Sequence, residues 1–368
     1  MKKILLLCLL SGFTLANVHF EKNQKCSKCH PAIYAEYKES QHGKATIFKD
    51  PIHGAVYNLH PQKNKKEKYR CATCHTPTAD NLSALLKPHN GIIPDANNET
   101  QNEAIACAYC HRIEDVKSGI AMNKNVISKD TKVYFSNKST TGTSQFHAIK
   151  TNKAIYKDGK MCLGCHSHKS NKNEFQVCST KINDKAPEKN CITCHMHKVD
   201  GVPSIMSKDK THTFHGFPGL HGDLTNLSQY IGMNFKVNDD KKMFTVSIDH
   251  KVPHASLLHP LRASKLLVSV KSGDDVSKMQ TRKIIKKIGT NDKPSAPWLA
   301  TQIVHDTTIP ANTKKAYPYQ WDLKSGDVIT ATFGYYLVKP KALKKFDLQD
   351  TEEATKFRII KKESFTVK

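Results

Sequence analysis

Apolar residues follow two different rhythms along this chain. From Leu227 onward, short runs alternate apolar and polar positions: Met243-Phe244-Thr245-Val246-Ser247-Ile248, then 265–270, 282–288 and 327–338. In the last run Ile329, Ala331, Phe333, Tyr335 and Leu337 fall on one face, and Thr330, Thr332 and Tyr336 on the other. That period of two is the signature of a half-buried strand. Pro and Gly turns separate the runs, which predicts an all-β, sandwich-like domain over 226–368. Residues 17–225 show no such alternation. A short helix is expected over 31–40, and 63–68, 87–101 and 123–143 are polar stretches that fit no regular element. This half is predicted to be mainly α and irregular, with little sheet. Residues 1–16 differ again. A charged start, Met1-Lys2-Lys3, precedes a short apolar run over 4–10 and small residues up to Ala16. This reads as a cleaved secretory signal, so the mature protein is expected to be periplasmic. The apolar run is far too short to span a bilayer. Cys8 lies inside it and would be discarded with it.

Composition sharpens the problem of the first half. Only 38% of the 368 residues are hydrophobic and mean hydropathy is −0.54, lean for a globular chain. Either part of the chain is disordered or something other than side chains fills the core. Twelve Cys and twenty His point to the second. Five segments repeat one pattern: Cys26-Ser27-Lys28-Cys29-His30, Cys71-Ala72-Thr73-Cys74-His75, Cys107-Ala108-Tyr109-Cys110-His111, Cys162-Leu163-Gly164-Cys165-His166 and Cys191-Ile192-Thr193-Cys194-His195. C-x-x-C-H is the attachment sequence of a c-type haem. Two thiols on one helical turn add to the two vinyl groups, and the following His turns its imidazole to the iron. A zinc ribbon, a dithiol redox centre or a disulfide framework also uses C-x-x-C pairs. None of them requires His at the fifth position every time. Five covalent haems are therefore expected. The first Cys of successive motifs are 45, 36, 55 and 29 residues apart. Residues 17–225 thus offer about 42 residues per motif, too few to wrap each haem in a shell of its own. The expected fold is a pentahaem cytochrome c domain with a haem-packed core over 17–225, followed by the sandwich.

Five His are spent as proximal ligands and fifteen remain. The default sixth ligand in such a domain is a second His from a distant segment. His42 stands just past the helix that leaves the first motif, and so faces away from its own haem. His147 precedes the fourth motif. The segment 211–221 is rich in His, Gly and Pro, and His215 and His221 are the choices from it. His53, in Asp50-Pro51-Ile52-His53-Gly54, completes the distal set of His42, His53, His147, His215 and His221. His60, His89, His168, His197, His212 and His254 stand in reserve. In the second half, one of His250, His254 and His259 reaching back to an iron competes with a polar strand edge. Met196 is too close to its own proximal His195 to ligate that iron. Cys178, the one unassigned thiol of the mature chain, is expected to be buried and inert.

Residues 26–45, with C-x-x-C-H-x-x-x-Tyr-x-Glu-Tyr-x-x-Ser-x-His-Gly-x-Ala, resemble the first haem segment of a periplasmic multihaem cytochrome c group. That group includes hydroxylamine oxidoreductase and octahaem tetrathionate reductase. The resemblance implies that Ser40-Gln41-His42 supplies a distal ligand to another haem. Residues 191–199 resemble the group's late C-x-x-C-H-Met segment, and 215–221 its His-x-Phe-x-Gly-x-His segment. Tyr37 and His197 depart from the Trp and Pro common there, and C-x-x-C-Lys is absent. The C-terminal part resembles the all-β tail of some multihaem cytochromes, with Pro253-His254 and Pro260-Leu261-Arg262 at its matching segment.

Two functions compete. One is electron carriage between a donor and an acceptor through bis-His haems. The other is reduction of a nitrogen or sulfur oxyanion at one five-coordinate haem. Spare His residues outnumber the irons three to one, which favours full ligation and the carrier. The formal charge is +24, spread evenly over both halves. It suits redox partner proteins, such as a membrane quinol dehydrogenase or a periplasmic reductase, and peripheral contact with an anionic membrane. Nucleic acid is not expected, since no recognition helix or stacking motif is present.

Overall fold

The computed structural model describes residues 19–61, 69–87, 91–137, 144–182 and 190–368. The signal-like segment 1–16, the stretch 63–68 and His89 lie outside the described residues. In the first half the two longest helices are Pro31–Glu39 and Pro51–Leu59. Each begins with Pro at its first position, where the missing N–H costs nothing. Asp50 caps the second: its Oδ1 accepts from Ile52 N at 2.9 Å and from His53 N at 3.1 Å. Most other helices here are single turns, and these include the attachment motifs. His30 N, His75 N and His111 N bond the carbonyl of the first Cys of their motifs at 2.9, 2.9 and 3.0 Å. That i to i−4 bond puts both thiols and the imidazole of a motif on one turn.

Short strands tie these turns together. β1 (Ile113–Lys117) pairs with β2 (Lys124–Ile127), and β3 (Val133–Ser136) runs parallel to β4 (Ala148–Thr151). β5 (His168–Ser170) pairs with β6 (Gln176–Ser179), and β7 (Lys198–Asp200) with β8 (Thr211–Thr213). The stretch 123–143, expected to be irregular, thus contains β2 and β3. Each strand has only four residues, too few for a period of two to stand out, although Ile127 and Phe135 pack on the core around Tyr109 and Ile113.

The second half forms two antiparallel sheets. β9 (Ile231–Val237), β10 (Met243–His250) and β16 (Thr313–Gln320) make the smaller, in the order β16-β10-β9. The larger is built on β11 (Ala263–Ser272), β12 (Asp275–Lys278), β13 (Arg282–Thr290), β14 (Lys293–Pro294), β15 (Gln302–Asp306), β17 (Val328–Tyr336) and β18 (Arg358–Thr366). Its main order is β14-β13-β11-β17-β18, with β12 also on β11 and β15 also on β13. Phe244, Val246 and Ile248 of β10 meet Leu266, Val268 and Val270 of β11 and Ile329, Ala331 and Phe333 of β17 in one core. All nine are buried, so the period-two pattern faces inward as a sandwich requires.

The halves share a second, smaller core. Ile52 and Ala55 of the helix Pro51–Leu59 pack with Leu337, Val338, Leu348 and Ala354, and Leu220 and Leu261 join them. Asn171 Nδ2, at the end of the β5–β6 hairpin, donates to Pro297 O and Ala300 O at 2.8 and 2.7 Å. The sandwich is therefore docked on the part that carries the attachment motifs.

Candidate haem-binding site

Each of the five motif histidines faces another histidine. Ring centroids are 6.4 Å apart for His30 and His147, 6.2 Å for His111 and His215, 6.0 Å for His166 and His42, and 6.5 Å for His195 and His254. His75 and His53 stand closer, at 3.9 Å. Metal–imidazole bonds of about 2.0–2.1 Å on opposite sides of one ion set two ring centroids roughly 6.4 Å apart. Four pairs already have the span that an iron between them needs. The fifth has to open.

The second nitrogen of these rings shows the same preparation. Nδ1 of His30 donates to Pro203 O at 2.6 Å, that of His111 to Phe135 O at 3.0 Å, and that of His195 to Pro218 O at 2.7 Å. Nδ1 of His215 donates to Thr213 O at 2.6 Å and that of His254 to Ala255 O at 3.0 Å. His53 and His75 both donate from Nδ1 to Ala45 O at 2.9 Å. A carbonyl on Nδ1 fixes the tautomer and leaves the Nε2 lone pair for a metal. Sharing one carbonyl also explains why His53 and His75 stand so close. His53 Nε2 is meanwhile engaged, accepting from the Tyr69 hydroxyl at 3.2 Å.

Burial favours the neutral form of eight of these rings, as ligation demands. It pushes His42 and His75 down to about 3, and His53, His215 and His254 down to about 4. His111, His147 and His166 are lowered for the same reason.

Of the distal set read from sequence, His42, His53, His147 and His215 each stand opposite a motif histidine. His221 does not. Its Nδ1 lies 2.9 Å from Glu353 Oε1, and the ring opposite His195 is His254. His254 comes from the loop between β10 and β11, so the sandwich itself supplies a ring to the haem-binding part. Its signal was the His cluster at 250–259, which spacing alone could not resolve. The other described reserves are engaged elsewhere. His212 bridges Gly201 O and Glu36, His168 Nε2 faces Gly119 O and Ile120 O, and His197 Nε2 accepts from Asn226. His60 packs on Trp298.

The thiols are free, with no disulfide among the described cysteines. No three His, Cys, Asp or Glu side chains converge among the described residues as zinc would require. Instead, thiols of different motifs meet: Cys26 with Cys107, Cys74 with Cys165, and Cys162 with Cys191. Cys178, in β6, lines a cavity of about 550 Å³ with Lys181, Lys286 and Ala255. Burial raises its thiol above the ordinary range, which keeps it protonated and unreactive.

Residues 25–112 match the family model described as cytochrome c554 and c-prime. The fold is similar to that of a penta-heme cytochrome c552 from Thermochromatium tepidum. The TM-score is 0.73 at 18% identity, over 95% of this chain and 100% of that one. The chain carries covalently attached c-type haems. With five attachment motifs, these likenesses support a multihaem cytochrome c whose C-terminal part is rich in β structure. No curated protein matches the sequence. Among the described residues no helix is long and apolar enough to cross a membrane.

Proposed function

We propose that this protein is a periplasmic pentahaem electron carrier in which two histidines bind every iron. The pairs are His30 with His147, His75 with His53, His111 with His215, His166 with His42, and His195 with His254. The single observation that carries the reading is that all five motif histidines face a second imidazole. A haem bound by two imidazoles exchanges one electron and leaves no position open to substrate. Backbone carbonyls hold seven of the ten rings in one tautomer, and burial favours the neutral form of eight. Contacts between thiols of different motifs bring the first motif to the third, the second to the fourth, and the fourth to the fifth. Attachment points in contact favour transfer from haem to haem.

The test is the spin state of the purified ferric protein. Five covalent haems by mass and pyridine haemochrome, all low-spin, with no CO binding on reduction, support the carrier. A substoichiometric high-spin signal that binds CO would support the second reading, reduction of a nitrogen or sulfur oxyanion. That reading has one foothold, at His53, whose Nε2 is held by Tyr69 and whose ring stands too near His75. The net charge of +24 suits an acidic redox partner, donor or acceptor, steered by long-range attraction. Association should then slow steeply with ionic strength.

A further inference from the structure

Arg262 holds a charge that the polypeptide does not cancel. It ends the turn after His259, where Arg262 N donates to His259 O at 3.2 Å and Leu261 N donates to His259 Nδ1 at 3.1 Å. The next residue begins β11, and Leu261 packs beside Ile52 and Ala55. The guanidinium therefore lies in the seam between the sandwich and the helix Pro51–Leu59. Asp50, Tyr335 and Cys178 surround it, and its charge reaches the ring of His166.

Among the described residues, no carboxylate lies within ion-pairing distance of Arg262. The nearest acid is already committed. Asp50 Oδ1 caps the helix through Ile52 N and His53 N, and Asp50 Oδ2 accepts from Gln41 Nε2 at 2.7 Å. Neighbouring cations add to the excess. Lys169, Arg262 and Lys286 all act on the Cys178 thiol, and among the described residues only Lys286 of the three is ion-paired, to Asp306 at 3.2 Å. Arg262 is half-buried and has no ion pair of its own among the described residues, so this seam suits a negative group supplied from outside the chain. Each c-type haem brings two carboxylates. We propose that Arg262 pairs with a propionate of the haem bonded at Cys162 and Cys165, and so holds that haem at a higher reduction potential. The inference needs a haem on the fourth motif and does not depend on two histidines at every iron.

The test is a spectropotentiometric titration of the fully loaded protein over a pH series, for wild type, Arg262→Gln and Arg262→Lys. In Arg262→Gln one haem should move to lower potential, because its propionate charge is no longer balanced. That potential should also become pH-dependent near neutrality. The released propionate takes a proton from the buffer as the iron takes an electron from the reductant. Arg262→Lys should show the same shift, smaller, and it decides the matter if the Gln protein fails to load five haems. Unchanged potentials in the loaded variants overturn the proposal. So does a wild-type potential that follows the concentration of sulfate or phosphate, since a free anion would then be the partner of Arg262.

Discussion

At the scale of residues, a ligand histidine is distinguished from an ordinary one by what its ring faces. His254 has its ring across from His195, whereas among the described residues the contact of His221 is from Nδ1 to the Glu353 carboxylate and not to a motif histidine. His254→Ala should therefore turn one haem high-spin and open it to CO, and His221→Ala should leave the spectrum low-spin. The opposite result would exchange their roles. Glu36 serves a neighbouring ring. Its Oε2 accepts from His215 N at 2.8 Å, and its Oε1 lies 2.8 Å from Nε2 of the buried His212. His212 Nδ1 also faces an acceptor, Gly201 O, at 3.0 Å. Both nitrogens of this buried ring thus face acceptors. Leaving a buried donor without its acceptor costs about 1–3 kcal/mol. Glu36→Ala should lower the unfolding midpoint accordingly and loosen the segment that carries His215. Glu36→Gln keeps the bond from His215 N and should lose less. The motif histidines were legible because Cys-x-x-Cys fixes them in sequence. Their partners were only partly legible, because they come from 124 residues upstream of their motif histidine at His42 to 117 residues downstream at His147.

At the scale of elements, legibility follows burial. The alternating run at 327–338 lies in β17, where Ile329, Ala331 and Phe333 are fully buried and Tyr335 nearly so. The runs in β10, β11 and β13 have the same origin, a strand with one face in the core. β18 left no such mark. No residue in it is fully buried, and Lys361, Lys362 and Glu363 sit on this outer strand, where charge discourages further pairing. The short strand pairs of the first half were equally silent, because three to five residues are too few to show a period. This difference predicts different costs. Phe333 is buried in the sandwich and meets Tyr335 edge-on at 5.2 Å, so Phe333→Ala should cost about 3–5 kcal/mol of unfolding free energy. Lys361→Ala should change it by less than about 0.5 kcal/mol. Denaturant unfolding of the two variants, with haem content held equal, makes the comparison. A small loss in Phe333→Ala would mean that the haem-binding half, and not the sandwich, sets the cooperative unit.

At the scale of the whole molecule, the fourth motif is the junction. Its thiols meet those of the second motif through Cys165 and Cys74, and those of the fifth through Cys162 and Cys191. Cys110 of the third motif lies close enough to act on both Cys162 and Cys165. His42, opposite His166, feels His75, His195 and His215 as well, and Phe217 lies tilted against it and edge-on to His215 at centroid distances of 4.1 and 5.9 Å. A change at His42 should therefore be local in chemistry and global in electron flow. With His42 as the proposed partner of His166, His42→Ala would remove one axial bond from one iron, while the thioethers and His166 would keep the haem in place. That haem should become high-spin, bind CO when reduced, and rise in potential, because a strong donor to the ferric state is lost. The other four should titrate nearly as before. Rapid reduction should nonetheless become biphasic. An electron trapped at the raised junction leaves slowly, so the branches at the second and fifth motifs would fill after the arm formed by the first and third. Monophasic reduction together with a new high-spin haem would place that haem at the end of the chain instead. An unchanged low-spin spectrum would remove His42 from the ligand set and leave His166 without its proposed partner.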